Sequence, residues 1–185
     1  MRVITGTARG RKLNTLEGRE VRPTTDQVKE AMFSIIQFEV EGAAVLDLFA
    51  GSGQLGIEAL SRGARLAVFV DQSRKAQEVI RQNLQHTGLA AQSRVAAMDA
   101  VGFLRGTRER FDIALLDPPY HAGLLEQVLP LLAPKMSPGG VILCETAVDE
   151  TLPPQAGDFH IKKEYRYGKI KLTAYRIPAQ TVTEE

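Results

Sequence analysis

Two short stretches of this sequence hold residue types whose spacing does chemistry. In Val45-Leu46-Asp47-Leu48-Phe49-Ala50-Gly51-Ser52-Gly53 an apolar run enters a glycine turn. Glycines there let the backbone approach a ligand closely, and a helix starting at the turn offers free N–H groups. The second stretch, Asp117-Pro118-Pro119-Tyr120, directly follows the apolar run Phe111–Leu116. Consecutive prolines remove two N–H donors and stiffen the backbone, which leaves carbonyl acceptors, one carboxylate and one aromatic ring. An exocyclic amino group on a nucleic-acid base needs acceptors for its two hydrogens and a platform for its ring. The Asp117 carboxylate and the Pro118 carbonyl supply the acceptors, and Tyr120 supplies the platform. In an open α/β sheet both stretches face the crevice beyond the carboxyl ends of the strands.

Gly51, Gly53 and Gly56 also satisfy G-x-G-x-x-G, with Asp71 twenty residues after Gly51, a spacing that alone points to NAD. Two details point elsewhere. Asp47-Leu48-Phe49-Ala50 intervenes before the first glycine. A carboxylate at Asp47 also faces a pyrophosphate unfavourably, whereas it suits the ammonium and sulfonium of S-adenosylmethionine. Asp71, closing the apolar run Leu66–Val70, is placed to accept the two ribose hydroxyls or to cap the next helix. Asp99, after Val95–Met98, is placed to accept an adenine amino group or to serve as an N-cap. The candidate donor-binding residues are therefore Asp47, Phe49, Ala50, Gly51, Gly53, Asp71, Gln72, Asp99, Ala100 and Thr24. The candidate catalytic residues are Asp117, Pro118, Pro119 and Tyr120. The chemistry they fit is methyl transfer to an amino nitrogen, with guanine N2 and adenine N6 both open. Rival readings are a DNA or RNA adenine-N6 methyltransferase, a protein glutamine methyltransferase and a non-catalytic NAD-type module. His86, His121 and His160 lack ligand spacing, so no metal is expected. Cys144 falls inside an apolar run, which disfavours covalent attack on a base.

These residues need a scaffold to bring them together. From Ala43–Phe49 onward, apolar strands (Leu66–Val70, Val95–Met98, Phe111–Leu116, Gly140–Cys144) alternate with helical stretches (Gln54–Ser61, Ser73–His86, Leu124–Leu132). That alternation predicts a mostly parallel sheet covered on both faces, an α/β Rossmann-like fold. Phe159–Tyr165 and Ile170–Ile177 read as two further strands around Gly168. Ahead of the sheet, Thr24 and Gln27 have capping-box spacing, and Val28, Ala31, Met32, Ile35 and Ile36 form one helical face. Residues 1–22 read as a basic, β-rich arm, 23–178 as one domain, and 179–185 as a frayed tail.

The formal net charge is only +1. It hides basic ends: residues 1–22 carry six Lys and Arg against two Glu, and residues 161–176 carry six against Glu164 alone. With Tyr165 and Tyr167 interleaved, this pattern points to a polyanion. Candidate nucleic-acid contacts are Arg9, Arg11, Lys12, Arg22, Lys169 and Lys171. A single cysteine fits a reducing compartment. No apolar stretch reaches the ~20 residues that span a bilayer, and MRVITGTARGRK lacks a signal-peptide core. The expectation is a cytoplasmic monomer with no membrane partner.

Asp-Pro-Pro-Tyr after the fourth strand, with Asp-Leu-Phe-Ala-Gly-Ser-Gly after the first, resembles the amino-methyltransferase branch of the class I S-adenosylmethionine enzymes. Arg22-Pro23-Thr24-Thr25-Asp26-Gln27-Val28-Lys29-Glu30-Ala31-Met32-Phe33 is similar to a segment of the RsmD-type 16S rRNA (guanine-N2) methyltransferases. Gly10-Arg11-Lys12-Leu13 and Glu58-Ala59-Leu60-Ser61-Arg62-Gly63-Ala64 also resemble that family. The resemblance implies a seven-stranded sheet with its last strand antiparallel and S-adenosylmethionine as methyl donor. It further implies a guanine N2 of 16S rRNA as target, with the assembled small ribosomal subunit as partner.

Overall fold

The structure, a computed structural model, describes residues 1–16 and 25–180. Two of the residues singled out above, Arg22 and Thr24, lie outside the described residues, as does most of the expected tail.

The chain runs α1 (Asp26–Ile35), β1 (Ala44–Asp47), α2 (Gln54–Ser61), β2 (Leu66–Val70), α3 (Arg74–Thr87), β3 (Ser93–Ala96), α4 (Ala100–Gly106) and β4 (Phe111–Leu116). It continues with α5 (Leu124–Leu132), β5 (Met136–Ala147), β6 (Gln155–Ala156), β7 (Phe159–Tyr167) and β8 (Ile170–Arg176). The strands form one sheet in the order β3-β2-β1-β4-β5-β8-β7-β6. β1 to β5 are parallel, and β8 inserts antiparallel between β5 and β7. The last strand is thus antiparallel, as expected, but the sheet has eight strands rather than seven. The added strand is the two-residue β6, too short to carry an alternation readable in sequence.

Side-chain alternation along the parallel strands divides the core in two. Val45, Phe69, Ile113, Leu115 and Leu143 point to one face, where α1, α2 and α3 pack. Leu46, Val68, Val70, Leu116 and Cys144 point to the other, beneath α4 and α5. β1 is buried along its full length, the pattern of a central parallel strand covered on both sides.

α1 starts one residue later than the Thr24–Gln27 spacing predicts. Thr25 is the N-cap, and its side chain accepts from the Val28 N–H at 3.3 Å. A capping box and a simple Thr cap differ by one position in sequence, and the local hydrogen bond decides between them.

The N-terminal arm folds back on itself through an antiparallel bridge between Arg2 and Lys12. Its Val3, Ala8 and Leu13 enter the core beside α1 and α2. Glu58, buried on α2, accepts from the backbone N–H groups of Ile4 and Thr5 at 3.1 and 3.2 Å and pairs with Arg62 at 3.0 Å. Lys29 of α1, also buried, donates to the Arg2 carbonyl at 2.7 Å. At the arm's bend, Gly6 has φ +92°, and a Cβ there would lie 1.8 Å from the Ser61 carbonyl oxygen. Both the left-handed backbone and the close approach require glycine. Gly6→Ala is therefore expected to lift the arm off α2 and destabilise the fold by about 2–3 kcal/mol, the range for combined strain and poorer packing. Chemical denaturation measures the loss, and hydrogen exchange should localise it to residues 1–13.

Candidate active site

Three carboxylates stand at the carboxyl ends of three adjacent strands. Asp47 closes β1, and in the sheet register it lies opposite Phe69 of β2 and Leu115 of β4. Asp71 comes two residues after Phe69, and Asp117 two residues after Leu115. Because side chains alternate with period two, all three fall on the α2 side of the sheet. Glu145 of β5, one residue past Cys144 in the register with Leu116, follows the same parity and is buried.

Asp47 is 1% exposed. One oxygen accepts from the Gly56 N–H at 3.0 Å, but Oδ1 is buried with no hydrogen-bond partner among the described residues. Burial pushes its pKa from the ordinary 3.8 up to about 8, against the Gly56 hydrogen bond and with added repulsion from Asp117 and Asp71. A buried carboxylate oxygen with nothing to bind, flanked by two like charges, is complementary to a cation.

The glycine turn lies beside it. Gly51 has φ +58° and open space where a Cβ would project, so its backbone faces a vacant approach. The Gly51 N–H donates to Asp71 Oδ2 at 2.9 Å, while Asp71 Oδ1 accepts from the Ser73 N–H at 2.9 Å. Asp71 thus joins the first and second strand ends as well as bordering the turn. The helix N-cap there is Ser73, not Asp71. The turn is held from behind by Asn83, whose Nδ2 donates to the carbonyls of Ser52 at 2.9 Å and Asn14 at 3.0 Å. Asn83 and Glu58 are the supporting residues that sequence reading missed. Their partners on the arm and the glycine turn lie 31 to 69 positions away, beyond any local pattern.

Among the other donor-binding candidates, Phe49 is half-buried, Ala50 and Gly53 are buried, Gln72 is exposed, and Ala100 is half-buried at the start of α4. Asp99 is exposed, and its Oδ1 accepts from the Gly102 N–H at 2.7 Å, so one oxygen is committed as the α4 N-cap. In the second stretch, Pro118 is buried, Asp117 and Tyr120 are half-buried, and Pro119 is exposed. Cys144 is buried, and burial pushes its thiol pKa up, away from the reactive thiolate.

The basic candidates separate. Arg9, Arg11, Lys12 and Lys169 are exposed. Lys171 is 4% exposed and is turned inward to the Glu150 carbonyl, 3.8 Å from Glu164. Its charge therefore serves the fold and is not presented to a polyanion, a distinction that charge counting cannot make. Lys162, Lys163 and Arg166 are exposed along β7, where Lys163 lies 4.8 Å over the Tyr165 ring. β6 pairs with Phe159 and His160, and the Ile161 N–H next to them donates to the Pro154 carbonyl at 3.1 Å.

The residues present fit a cationic methyl donor and not a dinucleotide. A pyrophosphate at the glycine turn would meet the negative side of Asp71 and Asp117, whereas a sulfonium or ammonium meets complementary charge. Among the described residues no three His, Cys, Asp or Glu cluster as metal ligands, and no helix is long and apolar enough to cross a membrane.

Comparison with known proteins agrees with this geometry. A family model described as "Conserved hypothetical protein 95" matches residues 1–176. The putative rRNA methyltransferase YlbH of Bacillus subtilis is 38% identical over 181 residues, 95% of this chain and 98% of that protein. Ribosomal RNA small subunit methyltransferase D of Escherichia coli K12 is 35% identical over 182 residues, 97% of this chain and 91% of that one. Among solved structures, the putative methyltransferase yhhF from Escherichia coli superposes with a TM-score of 0.86 at 35% identity, covering 97% of this chain and 99% of that one.

Asp47 yields a pH-dependent prediction. An acid that holds its proton more tightly in the folded chain favours folding at low pH, and the advantage is lost as pH rises from 3.8 through about 8. Asp47→Asn removes that dependence. The variant should melt higher than the native protein at pH 9, and the gap should shrink towards pH 5. Thermal melts without ligand across this range check it.

Proposed function

The chain belongs to the Conserved hypothetical protein 95 family, and from that premise we propose that it methylates the N2 amino group of a guanine in 16S rRNA. The family places it among small-subunit rRNA methyltransferases that use S-adenosylmethionine. The finer reading is ours: guanine N2 within the assembled small subunit, performed by a cytoplasmic monomer. Residues 1–22 act as an RNA-facing arm on a methyltransferase domain of residues 23–178. The observation that carries it is the partnerless buried oxygen of Asp47 beside the Gly51 turn, next to the proline-stiffened Asp117 loop.

When bound, S-adenosylmethionine supplies an electrophilic methyl group on a sulfonium. Asp47 and the Gly51–Gly53 turn would hold its charged end, and Asp71 would accept its ribose hydroxyls. The amino group of guanine is a weak nucleophile because its lone pair is delocalised into the ring. Asp117 and the Pro118 carbonyl accept its two hydrogens, hold the nitrogen towards tetrahedral geometry, and offset the positive charge that develops on it. Holding the nitrogen in one fixed place in the crevice would supply much of the remaining rate. The base must leave its stack to reach the crevice, and stacking on Tyr120 offsets that cost by about 1–3 kcal/mol. Asp117 or solvent takes the proton released afterwards.

The RNA backbone meets the exposed cations. Arg9, Arg11 and Lys12 lie on the arm, which packs beside the donor turn through Asn14 and Met1. Lys169 sits at the β7–β8 tip, next to Ala147 at the carboxyl end of β5. Lys169 lies toward the crevice, while Arg11 donates to the His86 carbonyl at the last turn of α3 and extends the basic surface away from it. An extended basic surface favours a nucleic-acid substrate over a protein glutamine amide.

Asp117→Ala should lower methyl transfer at least a thousand-fold and leave S-adenosylmethionine affinity within a few-fold of native. Mass spectrometry of nucleosides from treated small subunits identifies the product, and full activity in the variant removes the carboxylate from the mechanism. Reversing the charges of Arg9, Arg11 and Lys12 together should weaken RNA binding and flatten its salt dependence, because a protein that neutralises fewer phosphates releases fewer counterions. An unchanged salt slope assigns the arm a structural role alone.

A further inference from the structure

The loop that begins at Asp117 ends on a conformational oddity. His121 has φ 58°, the only positive value among the described non-glycine residues. A left-handed backbone is uncommon outside glycine, and surrounding contacts stabilise it where it occurs. The contact here is Glu150. One of its carboxylate oxygens accepts from the His121 N–H at 2.9 Å, and the other accepts from the Ala147 N–H at 2.8 Å.

Glu150 is itself fixed. Its N–H donates to the Ala147 carbonyl at 3.1 Å, which closes a turn at the end of β5. The buried Lys171 of β8 donates to its carbonyl, and the Val148 N–H donates to the Lys169 carbonyl at 2.9 Å. By contrast, the His121 imidazole meets Asp149 at 3.4 Å with both side chains more than half exposed, a surface contact of little consequence in water.

We propose that Glu150 is a positioning residue for methyl transfer. Its carboxylate fastens the far end of the 117–121 loop to the β5–β8 edge and so fixes where the Asp117 carboxylate and Pro118 carbonyl sit relative to the donor turn. The inference rests on the reading of that loop as the clamp for the amino group. β4 fixes one end of the loop, prolines stiffen its middle, and Glu150 fixes the other end. A carboxylate suits the task because it is acceptor-only and offers two oxygens to two diverging N–H groups. Hydrogen bonds to an ionised acceptor are also the stronger kind. Lys171, buried and therefore unavailable to RNA, holds the residue that holds the loop. Displacing a reacting group by 1 Å costs about a hundred-fold in rate, so a loosened loop appears in turnover before it appears in binding of the methyl donor.

The test uses Glu150→Ala and Glu150→Gln in the full chain. Tritiated S-adenosylmethionine is the donor and small ribosomal subunits from cells lacking this gene are the acceptor. Glu150→Ala should lower kcat at least ten-fold, keep S-adenosylmethionine affinity within two-fold of native, and speed hydrogen exchange at the His121 and Ala147 amides. Glu150→Gln keeps one acceptor oxygen and should recover part of kcat. Native kcat in Glu150→Ala, or a parallel fall of kcat and donor affinity, overturns the proposal. If the alanine variant does not fold, Glu150→Gln decides: kcat at least three-fold lower with native donor affinity supports the role, and native kcat rejects it. Asp117→Ala in the same assay separates the two failures. An active Asp117→Ala defeats the reading of the loop, whereas an inactive one beside a fully active Glu150→Ala defeats only the fastening role of Glu150.

Discussion

A carboxylate taken out of water must find partners or keep its proton. Asp47 finds one partner, the Gly56 N–H, for two oxygens, and Asp71 and Asp117 stand near enough to repel its charge. Burial and those like charges push its pKa up to about 8, and a cation beside it would favour the ionised form again. The arrangement is unfavourable for the isolated chain. Strain of this kind belongs at sites of binding or catalysis, and the rest of the molecule is arranged to sustain it.

The scaffold does so through strand register. Parallel pairing sets Asp47 opposite Phe69 and Leu115, so Asp71 and Asp117 arrive at the same level of the sheet and on the same face. Apolar strands buried on both faces leave little freedom to slip, since a one-residue shift would turn every carboxylate into the core. The arm adds a second layer of support. Glu58 binds it to α2, and Asn83 binds both the arm and the glycine turn to α3. The arm and the donor turn are therefore mechanically continuous.

Much of this was legible in sequence where a local pattern carried it. Gln54–Ser61, Leu66–Val70, Phe111–Leu116 and Leu124–Leu132 have the boundaries their apolar runs and glycine stops predict. The carboxylates were readable because each ends an apolar strand and so must lie at the crevice. β5 was underestimated: it spans Met136–Ala147 rather than Gly140–Cys144. Its extra residues include Pro138 and Gly139, poor strand formers that nonetheless belong to the strand, with a register shift against β4. Lys171 was misread because a basic tally does not register burial. Glu58, Asn83 and Glu150 were invisible because each acts on backbone groups distant in sequence, and a lone polar residue on a helix or in a turn looks solvated until the fold is known.

The central claim is that this crescent of carboxylates receives a cationic methyl donor and rejects a dinucleotide. Calorimetric titration of the purified chain at neutral pH, with S-adenosylmethionine and separately with NAD, addresses it most directly. The account predicts one saturable site per chain for S-adenosylmethionine and no heat of binding for NAD. Saturable NAD binding, or indifference to S-adenosylmethionine, would contradict it.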